Sequence, residues 1–176
     1  MKNQAEEQIN SLAVMCKNLA EYAVDRDDIK VLIHNLPKDQ NINTVTVDYE
    51  LQLLKIISVG WALSVCMENE PKKTEAAMEY WNLIRGFSKD ISQVTNMMIG
   101  HDVDYFQLIK DRFDYYVKSL DRKTAKDDPA SAIGPAFAEC CKDKENPFVT
   151  ITGARIFTYS IRGVKEYLES LGIKAD

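Results

Sequence analysis

The sequence predicts an all-α fold: one domain over residues 1–176, built as a bundle of five or six helices. Three observations carry this. The chain holds only seven glycines and five prolines in 176 residues, too few breakers for a strand-and-turn architecture. Apolar residues recur at spacings of three and four over long stretches. The hydrophobic fraction of 45% and charged fraction of 28% are those of a folded chain with enough apolar surface to offset its conformational entropy.

The first helix follows Ala5, Ile9, Leu12, Cys16, Leu19 and Ala23, one face of a 3.6-residue period. The acidic run DRDD interrupts it. Asp27 or Asp28 would cap a short second piece carrying Ile29, Leu32, Ile33 and Leu36, and Pro37 ends that piece.

The next segment is ambiguous in period. TVTVDYELQL alternates as a strand does, but no turn residue appears before Glu68–Pro71, too long a run for one strand. Val47, Leu51, Leu54, Trp61 and Val65 share one helical stripe, so the segment from about 47 to 68 is expected to be a helix. It is apolar almost all round from Leu51 to Met67, which marks a central helix buried by its neighbours; Gln52 and Lys55 count against a membrane span.

A long amphipathic helix follows. Pro71 suits its first turn, and Ala77, Tyr80, Ile84, Phe87, Ile91, Val94 and Met98 keep a coiled-coil-like seam up to Gly100. The fourth long helix, 103–120, carries Phe106, Ile109, Phe113, Val117 and Leu120. A polar loop at 121–130 comes next. The Gly134–Pro135 pair is expected to break or restart the helix there, leaving a short one at about 135–142. The last helix, 152–171, has the stripe Ala154, Phe157, Ile161, Val164, Leu168 and Leu171, with Gly172 as its C-terminal cap.

Candidate chemistry is sparse. In GHDVDYF, Gly100 reads as a helix stop, Asp102 as the cap of the next helix and Asp104 as a first-turn acid, which leaves only His101 without a structural role. No HxxxH or HxxE pair accompanies it, so no metal site is expected. His34 is expected to be partly buried or to lie against a helix C-terminus. The acidic sets Glu6–Glu7, Glu21–Asp25–Asp28 and Glu75–Glu79 are tested for magnesium and read as solvated faces. No P-loop, GxGxxG or nucleophile motif is present, and no cofactor or catalytic residue is assigned. The four cysteines form no CxxC; the neighbours Cys140 and Cys141 read as one buried and one half-exposed thiol.

The net charge of -5 argues against nucleic acid as a partner. The N-terminal stretch does not read as a signal peptide, and a cytoplasmic, reduced chain is the expectation. Surplus aromatics suggest an interface or a ligand site. Trp81, Tyr105 and Tyr115 are expected to project from faces other than the core, and Tyr159 to rim a second apolar edge of the last helix with Ile156, Gly163 and Tyr167. Arg155 and Arg162, seven residues apart, would hold an anion or pair with acidic helices. The leading expectation is a non-enzymatic helical interaction or accessory protein that self-associates as a homodimer. The alternatives are a helical domain with an internal pocket for a small apolar ligand and, much weaker, a metal-dependent enzyme acting on phosphates.

Overall fold

The fold is built around a helix that the sequence leaves ambiguous. In the computed structural model, which describes residues 2–38, 40–99, 103–120 and 128–173, the segment Thr44–Cys66 is one continuous α-helix, and no strand occurs among the described residues. Asn43 starts it by accepting a bond from the Thr46 N–H at 3.1 Å. Seven helices are described. Five are long: α1 (Lys2–Val24), α3 (Thr44–Cys66), α4 (Lys73–Ile99), α5 (Tyr105–Leu120) and α7 (Pro147–Ser170). Two are short: α2 (Asp27–His34) and α6 (Pro129–Cys140). The chain is an all-α bundle, as expected.

Helix α3 is the axis: each of the other six helices packs against it. Among the described residues it is the one helix long and apolar enough to cross a membrane, and 78% of its apolar window is buried inside the bundle. All seven helices feed one hydrophobic cluster, in which Leu51, Leu54 and Leu63 of α3 meet Leu19 of α1, Tyr80 and Ile84 of α4, Ile109 of α5, Phe137 of α6 and Ile156 of α7. Two close approaches set the spacing. A Cβ on Gly60 would lie 2.6 Å from the Trp81 ring, and one on Gly153 would lie 2.5 Å from the Phe137 ring, so α3–α4 and α6–α7 each need glycine at the contact.

Four expectations about elements are corrected. Helix α6 runs through Pro135 rather than restarting there. The proline removes one intrahelical bond, but α6 is clamped along α7 through Gly134 on Thr150 and Phe137 on Gly153, and that packing outweighs the loss. Helix α7 begins five residues before the expected 152, because Asn146 caps it through the Phe148 and Val149 N–H groups and Pro147 fills its first position. Its buried face is also wider than the expected stripe: Phe157, Val164 and Leu168 of that stripe are buried, Val149, Ile156 and Ser160 are buried beside them, and Leu171 is half exposed. Asp104 caps α5, accepting the Gln107 N–H at 2.9 Å, so it stands just outside the helix and not in its first turn. His101, Asp102 and Gly100 lie outside the described residues. Gly172 takes a φ of +80°, and the Ile173 N–H closes on the Leu168 carbonyl at 3.1 Å, the expected C-terminal cap.

Candidate functional site

The polar residues of α3 are where the sequence departs most from a plain core. Glu50, Gln52, Lys55 and Ser58 are all buried. Each has a partner, as burial demands. Lys55, with no exposed surface, points its ammonium at the Asp25 carbonyl (3.0 Å) and the Asp28 carboxylate (3.1 Å), over the Tyr22 ring at 4.4 Å. Asp25 and Asp28, read from sequence as a solvated face, are therefore the half-exposed counter-charges of a buried lysine. Gln52 donates to the Ala23 carbonyl at 2.9 Å and accepts from Arg26 at 3.3 Å, and Arg26 is ion-paired with Asp48. These bonds pin the α1–α2 corner onto α3.

Beside that corner is a cleft of about 340 Å³. Val24, Ile56, Ile91 and Val103 make its apolar wall, and Arg26, Gln52, Tyr49 and Tyr105 bring polar groups to it. The Tyr49 and Tyr105 rings meet edge to face, with centroids 6.1 Å apart. Tyr105 was expected to project; it is 5% exposed, because the start of α5 turns this residue toward α3. Burial pushes its phenol well above the ordinary value, the Tyr49 phenol adds to the rise and Arg26 opposes it. Burial raises Tyr49 as well, ahead of the Glu50 charge. Both phenols thus stay protonated at neutral pH and act as donors.

A second concavity runs along the antiparallel pair α4–α5. Its apolar end, about 270 Å³, has Trp81, Phe106, Ile109 and Phe113 as floor, with Trp81 and Phe113 edge to face at 5.8 Å. A wider polar end of about 710 Å³, with Ser88, Ser92 and Gln107, shares Arg85, Phe106 and Lys110 with it. The Arg85 guanidinium lies 4.9 Å over the Phe106 ring. Arg85, Lys89 and Lys110 enter no ion pair among the described residues, and all three line this groove.

A third constellation is internal. Arg112 of α5 grips Glu50 through two hydrogen bonds, and Tyr116 lies alongside with its hydroxyl buried and no oxygen or nitrogen partner. The Cys140 thiol neighbours Tyr116. Burial raises its pKa, while Arg112 pulls the other way. Cys140 is partly exposed and Cys141 buried, as expected of the pair, and all four cysteines are free.

The sequence-derived site residues do not converge. Trp81 lines the α4–α5 groove and Tyr105 the α1–α2 cleft. Tyr115 bonds to Glu139 at 2.7 Å. Arg155, Tyr159 and Arg162 lie on the outer face of α7, where Arg162 stacks over Tyr159 at 5.5 Å and stands 3.9 Å from Glu166. The expected second edge of α7 is largely internal: Ile156 is core, Gly163 packs on Tyr22, and Tyr167 accepts from Asn18 at 2.8 Å. His34 is exposed rather than partly buried and stands in the last turn of α2, the second of the two places expected for it. Among the described residues no three His, Cys, Asp or Glu side chains come together as a metal site. Sequence reasoning missed Arg26, Tyr49, Glu50, Arg85 and Arg112. The available signal was polar residues on a helix that is otherwise apolar all round, each of which needs a buried partner. No family model, no curated protein and no solved structure gives a significant match to this chain.

Proposed function

We propose that this chain is a non-enzymatic helical interaction protein, and that the α4–α5 groove receives its partner. One observation carries the reading: three cations without ion-pair partners among the described residues border an aromatic floor, with Arg85 and Lys89 on one wall and Lys110 on the other. On a chain of net charge -5, a local concentration of unpaired positive charge beside open apolar surface suits an acidic amphipathic helix. Such a helix would lay its apolar face on Trp81, Phe106 and Phe113 and turn carboxylates to the cations. Of the two acids at the groove, Asp104 is engaged in capping α5, and Asp114 sits at the apolar end. The four free cysteines support a reducing, cytoplasmic setting.

Trp81 reports on the groove. In a Trp61→Phe background, a synthetic acidic amphipathic peptide is expected to shift Trp81 emission saturably. A peptide of the same composition with its apolar face scrambled should not. Arg85→Glu together with Lys110→Glu should abolish the shift; an unchanged titration in that variant rejects the reading.

A second reading, self-association as a homodimer, is favoured by Phe148, Ile151 and Tyr159, which are 43%, 49% and 39% exposed on the outer side of α7 beside Arg155. Sedimentation at micromolar concentration decides it, a monomer of 20.1 kDa ruling it out.

A further inference from the structure

We propose that the cleft at the α1–α2 corner is a binding site for a small, uncharged, largely apolar molecule that carries a hydrogen-bond acceptor. This site is separate from the α4–α5 groove and would operate whether or not that groove takes a partner.

Two tyrosine hydroxyls line the cleft. The Tyr105 residue is 95% buried and Tyr49 is 37% exposed, and among the described residues neither hydroxyl makes a hydrogen bond. The buried phenol of Tyr80, by contrast, donates to the Ile56 carbonyl at 2.7 Å. Neither hydroxyl is sealed in the core: among the described residues the Tyr116 hydroxyl is the one buried without an oxygen or nitrogen partner, so the two at the cleft open onto it and are free to bond what enters. Both line the same cleft, whose volume of about 340 Å³ lies within the range of small-molecule sites. Ligand sites of this kind combine an apolar wall with a few converging polar groups, and here Ile56 and Ile91 supply the wall.

The charge balance selects the ligand. Arg26 is the one cation at the cleft, and Asp48 neutralises it while Gln52 takes another of its N–H groups. An anion would compete with Asp48, and a cation would meet Arg26. Each phenol brings an O–H to the cleft, and an acceptor such as a carbonyl oxygen on the ligand is its match.

Three probes of one shape separate the possibilities in calorimetric titrations: 2-acetylnaphthalene, 2-naphthoate and 2-ethylnaphthalene. The ketone is expected to bind once per chain, at least tenfold more tightly than either of the others. Tyr105→Phe removes only an unbonded hydroxyl, so the fold should be kept. It should weaken the ketone about tenfold and leave 2-ethylnaphthalene unchanged. Ile91→Trp, which fills the cleft, should abolish binding of all three. Phe113→Ala in the α4–α5 groove should change none of them. The inference is overturned if 2-naphthoate binds as tightly as the ketone, if Tyr105→Phe leaves ketone affinity unchanged, if Phe113→Ala removes binding, or if no probe saturates. The acidic-peptide titration of Trp81 is read independently, so a failure here leaves the groove reading standing, and the reverse.

Discussion

Arg112 holds Glu50 in a two-pronged grip across 62 residues of sequence, Nε to Oε2 at 2.8 Å and Nη2 to Oε1 at 2.6 Å, with the Glu50 side chain 3% exposed. The hydrogen bonds to Glu50 raise the Arg112 pKa further above its ordinary value. Removing one partner strands the other. Arg112→Met is expected to lower stability by about 3 kcal/mol, because a buried carboxylate loses its counter-charge. The double variant Glu50→Leu/Arg112→Met should recover most of that in urea denaturation. If the double variant is no more stable than the single, the ion pair is not the source of the loss.

Tyr116 lies beside that pair with its hydroxyl buried and no stronger partner than the weakly accepting Cys140 thiol. Tyr116→Phe should therefore be neutral, or raise stability by about 1 kcal/mol, the reverse of the usual cost of losing a buried phenol hydroxyl. A fall in the denaturation midpoint would mean that the hydroxyl is engaged after all.

Two helices carry each other's ideal residue. Gly86 is exposed within α4 with nothing within 4 Å of where a Cβ would stand, so Gly86→Ala should stabilise by about 0.5–1 kcal/mol. Lys142 closes the end of α6 at a φ of +59°, with the Asp143 N–H on the Ala138 carbonyl at 2.9 Å, and Lys142→Gly should add about 1 kcal/mol. Thermal melts of the two single variants and the double check both gains and their additivity.

Gly153 is the opposite case. An added Cβ would press into the Phe137 ring at 2.5 Å, and the ring is fully buried and cannot swing away. Gly153→Ala is expected to cost about 1–3 kcal/mol. Gly153→Ala combined with Phe137→Leu should lose less than the two separate penalties together.

Alkali should unfold the protein earlier than its side-chain composition alone implies. Burial, then the charges of Glu79 and Glu75, push the Cys16 thiol from its ordinary 9.0 up to about 11. The folded state therefore keeps a proton that the unfolded chain releases. The resulting stability is complete below pH 9 and is lost as the pH climbs toward 11, with a slope of roughly 1.4 kcal/mol per pH unit for one proton. Wild type should exceed Cys16→Ala in urea midpoint at pH 8, and the gap should narrow by pH 11. A constant gap would reject the linkage. The buried phenols of Tyr80, Tyr105 and Tyr116, all shifted upward by burial, add to the same slope at higher pH.

The helices were legible in the sequence because their cores repeat locally. Leu12, Cys16, Leu19 and Ala23 are buried as their spacing implies. Even the strand-like run at 44–53 could be read as helix from its length. The sites were not legible, because their members come from distant segments. Arg26 meets Asp48, Tyr105 meets Tyr49, and Arg85 meets Phe106 only once α3, α4 and α5 have packed. Periodicity also assigns one face per helix. Helix α5 buries Ile109 of the stripe through Phe106 and Phe113, but also Tyr105, Tyr116 and Ser119 on a face beside it, so the stripe alone leaves Tyr105 facing outward. The start of α7 is marked in the sequence by Asn146 and Pro147, a capping residue followed by proline, whereas the apolar stripe begins only further along.

The position of α3 bears on how the chain comes apart. Since each of the other six helices rests on it, no group of helices can detach while leaving a closed core behind. Loss of α3 packing anywhere exposes Lys55 and Glu50 to water and breaks the ion pairs that tie down the α1–α2 corner and α5. Unfolding should then be all-or-none, with amide protons of α1, α3 and α7 exchanging through one global opening of common free energy. The pairing of α1 with α4 and of α3 with α7 joins segments far apart in the chain, so the bundle should fold more slowly than one made of successive hairpins.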